Sequence, residues 1–349
     1  MKKRTLSAVL AALLVLMLAM SACGGTTTTT TPTPAPVESE APAEPEVPAE
    51  TDGTVLTEAA DLKLATGGTT GTYYAFGGIV AGVLEANIEG LTCTVHDSGA
   101  SKSNVFELID GDADLAFAQN DVTWYALSGT DLFANDGAQE GFSVIAGLYP
   151  EVVQIVARKD ITDISQLAGL NVSVGDAGSG TEFNARQILG AYDITFDDIN
   201  VQNLDFGSSA TALKDGKIDA FFCVAGAPTT NIVDLCTTTE ISILGLDDEH
   251  VAKLQSEYSF YTTYNIAAGT YNGVDYDVNA VAVIATLLAA DGVSEEAAYA
   301  ITKALFECAD QMEHDKASFL TPEYGVTGFD DMPLHPGALR YYQEVGVRE

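Results

Sequence analysis

Positive charge is scarce in this sequence: 15 lysines and arginines stand against 50 aspartates and glutamates, giving a formal net charge of −35. A surface this acidic repels a polyphosphate backbone, so nucleic acid is excluded as a partner. Histidine is scarce too. His96, His250, His314 and His335 fall in no H-x-x-x-H or Cys/His ligand spacing beyond a lone Cys93-x-x-His96, so neither a metal nor a cofactor is expected. Catalytic motifs are absent. AGSGT at 177–181 fails the G-x-S-x-G pattern at Ala177 and Thr181, and GGTTGT at 67–72 has no P-loop lysine. An enzyme is therefore not expected. Cysteine gives little: besides Cys23 there are Cys93, Cys223, Cys236 and Cys308, scattered and mostly inside apolar runs. Buried thiols are the expectation, with a Cys223–Cys236 disulfide open to an exported chain.

Export is what the N terminus describes. Lys2, Lys3 and Arg4 precede an apolar run over residues 6–20, then small residues end at Cys23. That run is shorter than the ~20 residues a spanning helix needs, so residues 1–23 are expected to be a removed signal rather than a membrane anchor. Met20-Ser21-Ala22-Cys23 resembles the bacterial lipobox, which implies lipidation of Cys23 and attachment to the membrane through that lipid only. Residues 24–60, Thr-rich and then Pro- and Glu-rich, cannot bury a core and are expected to be a solvated tether.

Strands alternate with helices beyond the tether. LKLAT at 62–66 has strand periodicity, and Ile79, Val80, Val83 and Leu84 fall at helical spacing after a Gly/Thr loop. CTVHD, a polar loop and Val105, Leu108 and Ile109 repeat the plan, so the fold class is α/β. GDADLAF at 111–117 is echoed by GKIDAFF at 216–222, which aligns Asp114 with Asp219 and suggests two similar lobes. The two aspartates follow helix-ending glycines, so turn hydrogen bonding explains them better than catalysis. The first crossover is expected near residues 151–157 and the return near 246–270. Lobe 1 is then 61–157 plus 250–349, and lobe 2 is 158–249. Ser294 is the expected N-cap of a helix running from Glu295 to about His314.

Three polar, glycine-containing loops follow strands and open helices, the place where open α/β sheets bind ligands. They offer Thr69, Thr72 and Tyr73; Ser98, Ser101 and Asn104; and Ser179, Gly180 and Thr181. Glycines let backbone approach a ligand, and first-turn N–H groups favour an anion. Ser179 and Glu182 have capping-box spacing. Arginine is so rare outside the signal (Arg158, Arg186, Arg340 and Arg348) that these N–H groups and hydroxyls are expected to hold an anionic ligand. Arg186 instead has Glu182 four residues before it, the spacing of a helical salt bridge.

ATGGTTGTYYAFGG (65–78), SGASKSN (98–104), GDADLAFAQND (111–121), LYPEVVQIVARKD (148–160), DISQLAGLNVSVGDAGSGTEFNARQIL (163–189) and DGKIDAFFCVAGAPT (215–229), in this order, resemble the TAXI family of receptors. The resemblance covers about residues 62–318. It departs at Ala100-Ser101, where the family often has Gly-Ser. It implies a two-lobed fold of the type II periplasmic binding proteins, two Rossmann-like lobes joined by a hinge, acting as a monomer. It also implies the permease subunits of a tripartite ATP-independent periplasmic (TRAP) transporter as partners, with a glutamate-like amino acid or dicarboxylate as ligand. Gln119, Gly226 and Pro228 join the candidate contacts through these motifs. The alternatives are a receptor for an ABC importer, a secreted hydrolase, and a chemosensory or adhesive lipoprotein.

Overall fold

The computed structural model describes residues 54–329 and 331–349. The signal and Cys23 lie outside the described residues, as does the tether up to residue 53. The last seven residues expected to be tether, 54–60, belong instead to β1 (Thr54–Ala65). Leu56 is buried there, and Thr57 donates to Glu296 from its backbone at 3.2 Å and its hydroxyl at 2.5 Å, which anchors the strand's start.

Chain order then runs α1 (Thr72–Asn87), β2 (Ile88–His96), α2 (Ser101–Asp110), β3 (Leu115–Gln119), α3 (Asn120–Ser128) and the long β4 (Phe142–Arg158). A second series follows: β5 (Asn171–Ser173), α4 (Gly180–Ala191), β6 (Asn200–Gln202), α5 (Phe206–Lys214), β7 (Ala220–Ala225), α6 (Thr230–Cys236), β8 (Ile241–Leu244) and α7 (Asp248–Glu257). β9 (Thr262–Ile266) and the long β10 (Val278–Ala290) lead back to α8 (Glu295–Glu307), α9 (Pro322–Gly325) and α10 (Pro336–Glu344).

The strand order β2-β1-β3-β10-β4-β7-β5-β6 contains the same unit twice. β1 lies parallel between β2 and β3, with antiparallel β10 beyond; β5 lies parallel between β6 and β7, with antiparallel β4 beyond. The echoed aspartates do the same work in each unit. Asp114 accepts from the Lys63 backbone at 2.8 Å and Asp219 from the Asn171 backbone at 2.8 Å, each tying a strand start to its parallel neighbour.

Two strands cross between lobes. The first part of β4 pairs with the last part of β10 in lobe 1, whereas Val152–Ala157 pairs with β7 in lobe 2. The return crossing therefore lies within β10 rather than near residue 250. Val251 and Leu254 of α7 pack with Ile188 and Leu189 in the lobe 2 core, which places residues 250–277 in lobe 2. β10 is buried along almost its whole length, so its sequence is uniformly apolar and carries no mark of where it changes lobe. The four cysteines among the described residues are free thiols, with Cys223 and Cys236 buried and unpaired.

Candidate functional site

Every parallel strand delivers its carboxyl end to one cleft between the lobes. Lobe 1 contributes the loop after β1, Ala100 and Ser101 after β2, and Gln119 at the end of β3. Lobe 2 contributes Asp176 to Thr181 after β5, Asp205 and Phe206 after β6, and Val224 and Ala225 from β7. The cleft contains about 550 Å³ of non-atom space, its open mouth included. Glu151 forms the floor at the crossing itself, where it pairs with Val283 of β10.

The α4 end is built to keep donors free. Ser179 caps the helix by accepting from the Glu182 backbone at 3.1 Å, and the Glu182 carboxylate accepts from the Gly178 N–H at 2.6 Å. Two of the first donors are thus satisfied by the chain, while the N–H groups of Gly180 and Thr181 have no acceptor among the described residues. Such donors at a helix start suit a carboxylate. Gly175, at φ 91°, makes this turn possible; a Cβ there would lie 2.8 Å from the Thr181 side chain.

The opposite wall is an acid-centred network. Tyr73 donates its hydroxyl to Glu151 Oε2 at 2.7 Å, and the Gln119 amide also hydrogen-bonds this carboxyl. Ser101 accepts from the Gln119 backbone at 3.2 Å. Burial pushes the Glu151 carboxyl up to about 8 and, with the charge of Glu151 beside it, holds the Tyr73 hydroxyl well above its ordinary range. Asp176 is raised by burial and by the charge of Asp205. Among the described residues no lysine, arginine or histidine lines the cleft.

Thr72, Tyr73, Ser101, Gln119, Ser179, Gly180 and Thr181 thus come together. The other candidates stand elsewhere. Thr69 lines an outer groove, whereas its neighbour Gly68 lines the cleft. Ser98 donates to Asn104 at 2.5 Å, and Asn104, fully buried, spends its amide on the carbonyls of Thr66 and Phe117 at 2.7 and 2.6 Å; both brace the loop from behind. Gly226 lies under Lys316, whose ammonium binds the Ala227 carbonyl at 2.6 Å and Asp315 at 2.7 Å. Pro228, after a cis bond, is exposed outside the cleft. Arg186 lies 3.5 Å from Glu182 and stacks 3.8 Å over the Phe196 ring; Arg158 pairs with Asp219 at 3.0 Å. Neither lines the cleft. The sequence reading missed Glu151, Asp176 and Asp205. Glu151 carried a signal, as the sole charge in the apolar stretch at 148–157.

The NMT1-like family model matches residues 64–346. Among solved structures, a protein of Bordetella bronchiseptica RB50 is 18% identical, with a TM-score of 0.50 over 82% of this chain and 81% of its own. A periplasmic transporter is 11% identical, with a TM-score of 0.50 over 83% of this chain and 94% of its own. The alkanesulfonate-binding protein SsuA from Xanthomonas axonopodis pv. citri, bound to MOPS, is 14% identical, with a TM-score of 0.46 over 82% and 85%. At these identities the likeness is one of fold. The fold is the two-lobed α/β architecture of type II periplasmic binding proteins, with its cleft at the strand ends of both lobes.

Proposed function

The chain belongs to the NMT1-like family, and from that premise we propose that it is an extracytoplasmic solute receptor, not an enzyme, that captures a small carboxylate-bearing metabolite and delivers it to membrane permease subunits. The observation that carries this reading is the cleft. Two lobes between which the chain crosses in β4 and β10 face one another across unsatisfied donors at Gly180 and Thr181. A ligand bridging both lobes stabilises their closure, the usual mode of hinged binding proteins. The resemblance of the motifs implies a glutamate-like amino acid or a dicarboxylate as ligand and a TRAP permease as partner, and Cys23 carries the lipid that holds the receptor at the membrane. The motifs from 65 to 229 support the TRAP assignment.

A thermal-shift screen of the purified chain against amino acids and mono- and dicarboxylates tests this reading. A true ligand at 100 times its dissociation constant adds about 2.7 kcal/mol of stability, well within detection. No shift across the panel, with turnover of an ester or phosphate substrate, would favour a hydrolase instead. An ATPase gene beside the receptor gene would assign it to an ABC importer, the second reading. Replacing Cys23 with Ser is expected to release the protein from the membrane; palmitate labelling equal to that of the parent would disprove the anchor.

A further inference from the structure

The charge of the cleft restricts what can fill it. Its carboxyl groups are those of Glu151, Asp176 and Asp205, with no basic side chain among the described residues. Lys316, the buried cation behind Gly226, is already spent on Asp315 and the Ala227 carbonyl. A dianion entering this cleft meets three carboxyl groups and no counter-charge, and desolvation makes that encounter more unfavourable than it would be in water.

A buried carboxyl without a counter-charge and a buried acceptor without a donor stand together there. Glu151 is only 2% exposed and takes hydrogen bonds from Tyr73 and Gln119, yet no cation neutralises it. Gln119, also 2% exposed, directs Oε1 at the Gly180 backbone, and that oxygen has no donor. An unmet buried acceptor such as Gln119 Oε1 costs free energy unless something supplies the donor, and the Glu151 carboxyl lies on the same wall of the cleft. An ammonium group has three N–H donors and the missing charge. Because Gln119 Oε1 lies against Gly180, the ammonium position adjoins the free N–H groups of Gly180 and Thr181. Adjacent ammonium and carboxylate on one carbon define an α-amino acid. Asp176 and Asp205 remain on the lobe 2 side, where a side-chain carboxylate would meet like charge.

We propose that the ligand is an α-amino acid with an uncharged or basic side chain, its ammonium received by Glu151 and Gln119 Oε1 and its carboxylate by the start of α4. This rests on the solute-receptor reading above and departs from the ligand class that the resemblance implies, because it removes dicarboxylates and acidic amino acids. The raised affinity of Glu151 for its proton adds a signature. At pH 7 the empty cleft holds Glu151 largely protonated, so an incoming ammonium displaces that proton into solvent.

Titration calorimetry on the full chain tests the proposal, with the twenty amino acids, 2-oxoglutarate, succinate and taurine as probes. At least one neutral or basic amino acid is expected to bind ten times more tightly than L-glutamate. Succinate and 2-oxoglutarate are expected not to bind. Repeating the titration at pH 7 in buffers of different ionisation enthalpy should show proton release. Glu151→Gln should weaken the amino acid at least tenfold and abolish that release. Gln119→Met, which removes the acceptor but keeps the volume, should weaken it while leaving proton release intact, and serves if the Glu151 variant fails to fold. Binding of succinate, 2-oxoglutarate or L-glutamate as tight as the best amino acid overturns the proposal and leaves the receptor reading standing, as does binding without proton release. No binding by any probe overturns both.

Discussion

Ala100 stands at φ 64° and ψ −155°, a region that glycine occupies freely and a Cβ does not. Holding a non-glycine residue there costs about 1–3 kcal/mol, and a glycine would return about 0.5–1 kcal/mol through the greater freedom of the unfolded chain. Relief of strain wins, so Ala100→Gly is expected to raise stability by about 1 kcal/mol and the thermal midpoint by about 2 °C. Calorimetry showing a lower midpoint would mean that the cleft wall relaxes around Ala100. The departure from Gly-Ser was visible in the sequence; the backbone conformation that gives it a cost was not. The free N–H groups in the cleft lining were legible for a similar reason, since Ser179 and Glu182 fix where α4 begins. Thr181, buried in the cleft lining, should therefore matter more than Arg186, whose guanidinium stacks on Phe196. Thr181→Val is expected to weaken ligand binding about tenfold, the scale of one hydrogen bond to a charged group, and Arg186→Ala less than about twofold. The reverse ranking in titration calorimetry would make Arg186 the carboxylate clamp. Glu151 escaped the sequence reading because hydrophobic periodicity ranks a strand by its apolar positions, whereas here the one charged position faces the cleft.

Elements were legible wherever a cap or a glycine marked an end. α8 begins as expected, with the Ser294 hydroxyl accepting from the Ala297 N–H at 3.1 Å and Glu295 and Glu296 in its first turn. It ends at Glu307, seven residues before His314. No basic residue stands in its last turn, and Glu307 and Asp310 oppose the negative end of its dipole, so the chain passes into a 3-10 turn over Ala309–Gln311. Hydrophobic spacing alone could not see that stop. Because Ser294 satisfies a helix N–H that would otherwise lack a partner, Ser294→Ala is expected to cost about 1 kcal/mol in urea unfolding without changing the slope. An unchanged midpoint would show that water replaces the cap. β1 and β10 mark the opposite limit. β1 starts eight residues before the expected strand at 62, because that start was drawn at a change of composition while the actual pairing of Thr54 with Ile88 depends on a partner distant in sequence, and β10 carries no mark of where it changes lobe.

Across the whole molecule, the repeated lobe was legible through Asp114 and Asp219, but the contact between lobes was not, because its residues come from helices that look unrelated in sequence. Asp121 of α3 in lobe 1 accepts from Asn184 of α4 in lobe 2 at 2.9 Å. Asn184 also donates to Tyr261 at 2.8 Å, Tyr261 donates to Gln187 at 2.6 Å, and Gln187 donates to Tyr125 at 3.1 Å. Asp121 Oδ1 and Asn184 Oδ1 are both buried without a donor. Burial, more than the charge of Asp131 nearby, pushes Asp121 from 3.8 up to about 6. A proton on Asp121 removes the buried charge while the Asn184 amide still donates to Oδ2. The titratable groups around it are Tyr125 on its own helix, Asp131 beyond it, Tyr258 and Tyr261 after α7, and Glu151 on β4. Of these, Glu151 titrates higher, at about 8, and the tyrosines higher still. Opening the lobes returns Asp121 to water and toward its ordinary 3.8, so between 3.8 and about 6 the closed form binds more protons than the open form. Closure of the unliganded receptor is therefore expected to strengthen as pH falls through 6 and to weaken as it rises, by at most about tenfold per pH unit for one proton. Small-angle scattering at pH 5 and pH 7 should show a smaller radius of gyration at the lower pH. Asp121→Asn keeps a neutral side chain at every pH and should remove the share of that difference that arises below about pH 6, while the response between pH 6 and 7 belongs to Glu151. An equal pH response in wild type and variant would show that the α3–α4 contact does not control how the lobes close.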